Sequence, residues 1–332
     1  MKRSIALAVL VATVVLAFAG TVPAPAPAQP LRPFVVTEPV HSLDSVPFYL
    51  AVRKGFFKEL GLDVKLVTSE GGGRHIAAVI SGDANAFIGG PEHIAFARVK
   101  GGKELRAVVS MSNRASQYFV AGKSVTINDK ASAGEKLRGK RIAIGTRGGT
   151  GYSIVRFLLA QDGIDPTKDV VLVEIPTAAG RMAAIRAGQA DVAMINEPLI
   201  SQGMKAGLWN QPFMSMPAEL GPFVYTTINL PLDLIQKDPA MVAGMVKAMV
   251  KALEYTFAHP EEAEAVARAE FPTLPVEDVK AVLKRALDDK LWERNGSMPK
   301  EAWARLHEIV RKGGLLERDV AYEEVFEPKF LR

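Results

Sequence analysis

The 332-residue sequence contains no cysteine. This absence excludes disulfide bonds, thiolate zinc sites, iron–sulfur clusters and any cysteine nucleophile. It also excludes a lipid anchor, which would need a cysteine at the cleavage site. Aromatic residues make up only 7% of the chain and charged residues 23%, whereas hydrophobic residues make up 48%. This composition excludes intrinsic disorder, collagen and coiled coil, and a chain of this length usually divides into two domains.

The first thirty residues follow a different pattern from the rest of the chain. Lys2-Arg3 precede an apolar run over residues 5–18, and a stretch rich in Pro and Ala follows. This order is that of a secretory signal, and the run is shorter than the roughly 20 residues that span a bilayer. Cleavage fits after Ala19 or after Ala28, and the second is preferred because the Pro-rich stretch is predicted to be unstructured. Residues 1–28 are therefore predicted to be a cleavable signal peptide for export to the periplasm.

The net charge of the chain is small. There are 41 basic and 36 acidic residues, and the predicted signal contains two of the basic ones. No run of five basic residues occurs, so nucleic acid is not expected as a partner. No apolar run beyond the signal approaches 18 residues, so we expect the mature chain to be soluble.

Beyond the predicted signal, short apolar strands alternate with helices of about ten residues. Gly61, Gly82 and Gly188 stand where three of these helices end. Such alternation predicts parallel sheets with right-handed crossovers. After Gly221 the pattern changes to one extended segment over residues 223–230, followed by helices only. These helices are predicted over residues 238–258, 261–270, 275–288 and 299–312.

An internal repeat is the most informative feature. Residues 63–88 align without gaps on residues 169–194, with eight identities that include the pairs Gly82 and Gly188, and Ala84 and Ala190. Chance similarity between two βαβ units is the alternative. Because the helix-ending glycines coincide as well, we prefer a duplication, which predicts two similar α/β lobes.

Ten short stretches in a defined order resemble one family. They are PFYLA at 47–51, KGFF at 54–57, GLDV at 61–64, GGG at 71–73, SGDA at 81–84, GGP at 89–91, LRGKRIA at 137–143, GTRGGTG at 145–151, GQADVA at 188–193 and EP at 197–198. In this order the chain resembles the periplasmic substrate-binding proteins of ABC importers, in the thiamine-precursor, taurine, alkanesulfonate and nitrate group. The resemblance runs over residues 34–209. This family often has an aromatic residue just before the Glu-Pro pair, whereas Asn196 stands there in this chain.

The resemblance implies an α/β, two-lobed periplasmic-binding-protein fold of type II. Each lobe would be a mainly parallel sheet flanked by helices, with a ligand cleft between the lobes. Residues 31–120 together with 219–332 would form lobe 1, which the C-terminal helices complete. Residues 121–218 would form lobe 2.

Glycine-rich segments follow several predicted strands, at residues 71–73, 89–90 and 145–151. In open α/β sheets ligands lie beyond the carboxyl ends of the strands, where helices begin and free backbone N–H groups face the cleft. We expect these loops to hold the polar or anionic end of a ligand. The alternative is that the glycines only permit tight turns.

Three histidines, His41, His75 and His93, each follow one of the first three predicted strands. A metal site would need more ligands, such as Asp44 or Glu92, and we do not predict one. A hydrogen bond to the ligand is expected from His41 or His93. The candidate ligand-binding residues are His41, Asp44, Gly72, Arg74, Gly90, Glu92, His93, Asn113, Thr146, Gly149, Thr150, Tyr152, Asn196 and Glu197.

The role of Glu197 is open at this point. Its carboxylate could accept hydrogen bonds from a cationic or amide group of the ligand. It could equally cap its own helix, because Asn196 is a good N-cap residue and an acidic side chain suits the first turn.

The motifs of enzymes are missing. Residues 145–151 do not form G-x-G-x-x-G and contain no P-loop lysine, and no G-x-S-x-G elbow occurs. His307-Glu308 lacks the second histidine of a zincin helix. Pyrimidine-precursor synthases and porphobilinogen deaminases resemble the same scaffold, but they use cysteine and are cytoplasmic. The chain is therefore predicted not to be an enzyme and to need no cofactor.

These features predict the binding component of an ABC importer that acts as a monomer with a membrane permease as partner. Its ligand would be a small polar or anionic organic molecule, such as a pyrimidine vitamin precursor, a sulfonate or an aromatic acid, captured by lobe closure. The alternatives are an enzyme or a ligand-sensing domain on the same two-lobed scaffold.

Overall fold

Short apolar runs separated by helices form two five-stranded sheets in the computed structural model, which describes residues 30–69 and 73–331. The predicted signal peptide and Gly72 lie outside the described residues. The strands of the described ranges are β1 Arg32–Glu38, β2 Leu62–Thr68, β3 Ala86–Gly89, β4 Leu105–Ser112, β5 Tyr118–Ala121, β6 Arg141–Ile144, β7 Val171–Glu174, β8 Val192–Ile195, β9 Met214–Ser215 and β10 Thr226–Pro231.

Helices connect and flank these strands. In the described part of the chain they are α1 Val46–Arg53, α2 Arg74–Ser81, α3 Glu92–Val99, α4 Thr150–Gln161, α5 Ala178–Arg186, α6 Leu199–Lys205, α7 Met216–Leu220, α8 Leu232–Lys237, α9 Pro239–Ala258, α10 Pro260–Glu270, α11 Val276–Asp288 and α12 Lys300–Lys312. The four long C-terminal helices confirm the predicted ones to within two residues at each end. None of the helices in the described ranges is long and apolar enough to cross a membrane.

The two sheets are built on one plan. The first sheet has the strand order β2-β1-β3-β10-β4 and the second has β7-β6-β8-β5-β9. In each, the first three strands are parallel and the fourth is antiparallel to its neighbours. This arrangement confirms the α/β class with mainly parallel sheets, and the fourth strands are where the chain crosses between the sheets.

The aligned repeats occupy equivalent places. Residues 63–88 contain β2, α2 and β3, and residues 169–194 contain β7, α5 and β8, which hold the same positions in their sheets. Gly82 and Gly188 end the two helices in the left-handed region, with φ of 91° and 65°. A side chain would be strained at such φ values, which explains why both copies carry glycine there.

Two large apolar cores hold the sheets in place. One packs α1 and α9 on the first sheet, where Phe48 and Met249 are fully buried. Another packs α12 against α4, with Leu306 and Phe157 fully buried. The last long helix therefore packs against a helix of the second sheet, whereas the sequence pattern assigned it to the first lobe. The lobe boundaries stay a prediction.

Candidate functional site

A cavity of about 410 Å³ lies between the two sheets. Its wall is formed by segments that follow β1, β2 and β3 on one side and β6, β7 and β8 on the other, and by the two segments that cross between the sheets. The segments that follow these six strands lie at carboxyl ends of parallel strands, where the next helices begin. The volume is within the range of about 300–1,000 Å³ that is typical of small-molecule sites.

Many of the predicted ligand-binding residues meet at this cavity. Those that line it are Asp44, Gly90, His93, Thr146, Gly149, Thr150, Tyr152 and Asn196. They come from both sheets, so the fold brings together residues that are up to about 150 positions apart.

The glycine-rich loop over residues 145–151 follows β6 and leads into α4. Gly149 precedes the helix, and no side chain caps the first turn. The first N–H groups of α4 and the positive end of its dipole therefore lie at the cavity wall beside Thr150. A Cβ at Gly151 would lie 3.1 Å from Met194 Sδ, so glycine permits this close packing.

The start of α3 joins this loop across the cleft. His93 Nδ1 lies 3.0 Å from the Gly90 carbonyl oxygen, and His93 Nε2 lies 3.2 Å from the Gly148 carbonyl oxygen. The Thr150 hydroxyl donates to Glu92. A neutral imidazole has one N–H group, so only a protonated ring donates both of these bonds at once. The two sheets are therefore bonded to each other at the cavity rim.

Glu92 lies behind the cavity wall. Its side chain is fully buried, and Oε2 has no hydrogen-bond partner among the described residues. A Cβ added at Gly90 would lie 2.0 Å from that oxygen. Only glycine fits between this carboxyl group and the cavity, which gives Gly90 a packing role in addition to its place in the wall.

His41 lies outside the cavity wall, in a cluster around the buried carboxylate of Glu38. His41 Nδ1 lies 2.8 Å from Glu38 Oε1, and Nε2 lies 3.4 Å from Glu270 Oε2. The ring packs against Tyr49 and Phe271, at centroid distances of 4.6 and 4.7 Å. These contacts engage both nitrogens of the ring and its aromatic surface. We call this group the Glu38 cluster, and its members are Glu38, His41, Tyr49, Thr68, Glu270 and Phe271.

Glu197 follows β8 but does not line the cavity. Its carboxylate accepts hydrogen bonds from the Ser201 backbone N–H, at 3.0 Å, and from Arg285 Nε, at 2.8 Å. Of the two roles predicted for this residue, capping of α6 is the one that these bonds fit. Its neighbour Asn196 does reach the cavity.

Asn113 and Arg74 are also placed away from the cavity. The Asn113 amide is buried, accepts a hydrogen bond from Ser110 Oγ at 2.8 Å, and donates to the Ser297 carbonyl oxygen at 3.1 Å. Arg74, at the start of α2, is exposed. Asn113 therefore bonds to the protein itself, and Arg74 faces solvent.

Two cavity residues that occupy the same position in the internal repeat were not among the candidates, although His75 was noted as one of three histidines at strand ends. His75 on α2 and Arg181 on α5 both line the cavity, and they are 106 positions apart, the same offset as Asp63 and Asp169. Both are buried, with 4% and 9% of their surface exposed. The gap-free alignment was the signal that could have found them, because it places a polar residue at the same helix start in each copy.

His75 has unsatisfied polar atoms. Neither ring nitrogen has a hydrogen-bond partner among the described residues. Burial, with a smaller effect of nearby His93, lowers the pKa of His75 to about 3, so the ring is neutral at physiological pH. A neutral imidazole offers one donor and one acceptor. In the described ranges the cavity histidines belong to no cluster with metal-ligand spacing.

Arg181 is held by backbone carbonyl groups. Its Nε donates to the Met194 oxygen at 2.8 Å, and Nη1 donates to the oxygens of Ile175 and Pro176 at 2.9 and 3.1 Å. Burial lowers the pKa of Arg181 to about 10, which leaves it protonated at neutral pH. These bonds fix the guanidinium at the carboxyl ends of β7 and β8.

Asp44 brings a carboxyl group to the opposite wall. Ser116 Oγ donates to Asp44 Oδ2 at 2.5 Å. Burial raises the pKa of Asp44 to about 6, and the bonds from Ser116 and Ser42 only partly offset this effect. Gln117, the next residue of the wall, has a buried Oε1 without a partner among the described residues. The arrangement can bind a small molecule through donors and acceptors from both sheets.

Comparison with protein families gives one match over most of the chain. The model of the NMT1/THI5-like family matches residues 42–263. This range includes every described strand except β1, and nearly all of the cavity wall described above.

Two relatives are similar over almost their whole length. The binding protein YtlA of Bacillus subtilis is 24% identical over 292 residues, which are 87% of this chain and 86% of YtlA. The riboflavin-binding protein RibY of Chloroflexus aurantiacus is 25% identical over 309 residues, which are 88% of this chain and 84% of RibY.

A solved structure shows the same fold. The alkanesulfonate-binding protein SsuA from Xanthomonas axonopodis, bound to MOPS, superposes with a TM-score of 0.71. The match covers 90% of this chain and 99% of SsuA at 16% identity. The predicted periplasmic-binding-protein fold is therefore confirmed.

Proposed function

Because the chain belongs to the NMT1/THI5-like family, we propose that it is the solute-binding component of an ABC importer. It captures a small polar or anionic organic molecule in the cavity between the sheets. The observation that carries this proposal is the set of buried polar side chains that face the cavity from both sides without a full set of partners. His75 lies on the side of the first sheet, Arg181 on the side of the second, and Gln117 at the crossing just before β5.

Such groups favour a ligand that enters the cavity. A buried donor or acceptor that stays unpaired costs about 1–3 kcal/mol, and a ligand that pairs with it recovers this free energy. Since the unpaired groups belong to both sheets, only a closed arrangement lets one ligand reach all of them. Ligand binding would therefore shift an equilibrium between open and closed lobes, and the closed form would dock on the permease.

The proposed lobes are residues 31–120 with 219–332, and residues 121–218. The hinge would be the two crossings at β5 and β10, where the chain passes between the sheets. We further propose that the chain acts as a monomer in the periplasm, after removal of residues 1–28. The pairing of His93 with the loop over residues 145–151 would break on opening.

The wall offers two tyrosine side chains to a ligand. They are Tyr152 and Tyr225, and among the described residues the wall contains no tryptophan or phenylalanine. A planar ring in the cavity would therefore have tyrosine as its stacking partner. Pyrimidine precursors, sulfonates and small aromatic acids remain within the proposed class.

The surroundings of the cavity histidines favour a binding role. His93 contacts backbone carbonyl oxygens, and in the described ranges neither cavity histidine is bonded to a serine. A nucleophile and its base must lie within hydrogen-bond reach of each other, and no such pair is formed by these histidines in the described ranges. This observation supports a binding role over an enzymatic one.

A thermal-shift panel of pyrimidines, sulfonates, aromatic acids and amino acids tests the proposal. At about 100 times its dissociation constant, a ligand is expected to stabilise the fold by about 2.7 kcal/mol. Native mass spectrometry of protein purified from periplasm would weigh any bound molecule. If no compound raises the melting temperature and no bound molecule is detected, the proposed function is wrong.

A further inference from the structure

Two charged side chains in the cavity wall, one on each side, are at least half-buried and have no partner of opposite charge among the described residues. They are Asp44, which follows β1, and Arg181 on α5. A third charged residue of the wall, Arg147, is exposed to solvent. A buried charge without a counter-charge is costly, and such groups concentrate at functional sites.

Arg181 is presented to the cavity with part of its hydrogen-bonding capacity unused. Three backbone oxygens take up Nε and Nη1, and no group in the described ranges bonds to Nη2. No carboxylate of the described residues lies within 4.0 Å of the guanidinium. Because 91% of the residue is buried in a cavity wall, its remaining donors are available to a ligand in the cavity. A guanidinium of this kind binds a carboxylate or another oxyanion.

Asp44 lacks a positively charged partner among the described residues. Ser116 supplies one neutral hydrogen bond to Oδ2, and no Lys, Arg or His of the described residues lies within 4.0 Å of its carboxylate. The basic group beyond it, Arg285, is already paired with Glu197. Desolvation of the carboxylate disfavours its charged form, and a cation placed beside it would reverse that effect.

Apart from the exposed Arg147, the rest of the wall offers hydrogen bonds and apolar surface. His75 and Gln117 offer hydrogen bonds, and Ile76, Ile88 and Met194 offer apolar surface. A simple anion on Arg181 would leave the Asp44 carboxylate unpaired and would be repelled by it. A simple cation on Asp44 would leave Arg181 unpaired in the same way.

Building on the proposed function, we infer that the ligand is a zwitterion. Its acid group binds Arg181 and the first N–H groups of α4, and its protonated amine binds Asp44. A short hydrocarbon or small ring joins the two groups and packs on the apolar wall. The ligand class is that of small aminocarboxylic acids and their close analogues, and Asp44 selects for the amine.

Capture from a whole-cell metabolite extract tests this inference while the ligand is still unidentified. The full mature chain is incubated with the extract and washed, and the compounds released by heat are identified by liquid chromatography and mass spectrometry. Enrichment of a compound with both an acid group and a basic amine supports the inference. Enrichment of compounds that are only anionic or neutral overturns it but leaves the proposed function standing. Enrichment of nothing counts against both.

The captured compound then defines a matched set for calorimetry: the compound itself, the same acid without its amine, and the same amine without its acid. In the unaltered protein the zwitterion is expected to bind about 10- to 100-fold more tightly than either partial compound. Asp44→Asn should bind the zwitterion and the acid without its amine with similar affinity. Unchanged discrimination in Asp44→Asn would overturn the role of Asp44.

Arg181→Gln should weaken binding of the zwitterion and of the acid without its amine to a similar degree, by about 10- to 100-fold. Binding of the amine without its acid should change little. Since Arg181 also bonds three carbonyl groups, Arg181→Lys is measured beside it, because it retains the charge. Arg186→Gln, on the exposed side of the same helix, is the matched control. If Arg181→Gln melts at the normal temperature and binds the acid normally, the inference fails. Asp44→Asn tests it independently if Arg181→Gln does not fold.

Discussion

Two histidine-containing regions beside the first sheet, the Glu38 cluster and the cavity wall around His75, differ in how their polar atoms are satisfied. In the cluster, Glu38 accepts hydrogen bonds from His41, Tyr49 and Thr68 at 2.8–2.9 Å. In the cavity wall, neither nitrogen of His75 has a partner among the described residues. Both histidines follow predicted strands, so position in the chain does not separate them. A saturated polar group stabilises the fold, whereas an unsaturated buried one is available to a ligand.

Breaking the Glu38 cluster should have the largest effect. Glu38→Ala leaves three donors without their buried acceptor, and we expect the free energy of unfolding to fall by about 3–5 kcal/mol. Urea denaturation measures this change. Glu38→Gln keeps a hydrogen-bond acceptor, so its free energy of unfolding should fall by less. A loss below about 1 kcal/mol for Glu38→Ala would contradict a structural role for the cluster.

The pH dependence of stability should identify His75. The unfolded chain protonates this histidine below its ordinary pKa of 6.5, whereas the folded protein does not until about pH 3. The unfolded state therefore binds more protons in this window, and the native protein loses stability as the pH falls through it. Relative to His75→Gln, the unaltered protein should lose up to about 1.4 kcal/mol per pH unit between about pH 6 and 4. Parallel stability curves for the two proteins would show that His75 does not titrate in this way.

Ligand affinity should separate the two histidines. His75→Gln is expected to weaken binding of the ligand by about tenfold or more, because it removes hydrogen bonds in the cavity wall. His41→Gln should leave affinity within about twofold, since the polar and aromatic contacts of His41 in the described ranges are with the Glu38 cluster. Isothermal titration of both variants makes this comparison. Equal losses in the two would mean that the cluster also supports the site.

The smallest effect is expected at the cavity rim. Thr150→Val removes the hydroxyl that donates to Glu92, and the unligated protein should lose about 1 kcal/mol of unfolding free energy. Thr146→Val changes a threonine of the same loop whose hydroxyl has no hydrogen bond in the described part of the chain. The free energy of unfolding of Thr146→Val should stay within about 0.5 kcal/mol of that of the unaltered protein. Indistinguishable melting curves for the two variants would show that the Thr150 bond does not stabilise the contact between the sheets.

Much of the fold was predictable because it depends on local rules. The four long C-terminal helices follow apolar periodicity, three of them end within two residues of Pro or Gly, and the structure has all four within two residues of the predicted bounds. The equivalent glycines Gly82 and Gly188 end equivalent helices because glycine adopts the left-handed region without strain. The packing of α12 on α4 was not predictable, since it depends on which apolar faces meet in space.

The candidate site was predictable in part for a related reason. Glycine loops at strand ends, such as residues 145–151, reach the cavity because sheet topology places every parallel carboxyl end at one edge. Arg181 was missed because it lies within a helix and matches no motif. His41 and Glu197 have side chains that could bind a ligand and follow strands of the sheets. In the structure their polar groups contact other side chains of the protein instead of the cavity.

The order of residues by itself determined the α/β class, the duplicated plan and the loops that form the cavity, because strand periodicity, helix ends and glycine conformations act over a few positions. Only the tertiary structure decided which polar groups are paired and which face the cavity unpaired. Contacts such as that of His41 with Glu270 join residues more than 200 positions apart. The availability of a side chain to a ligand therefore depends on long-range contacts that no local pattern encodes.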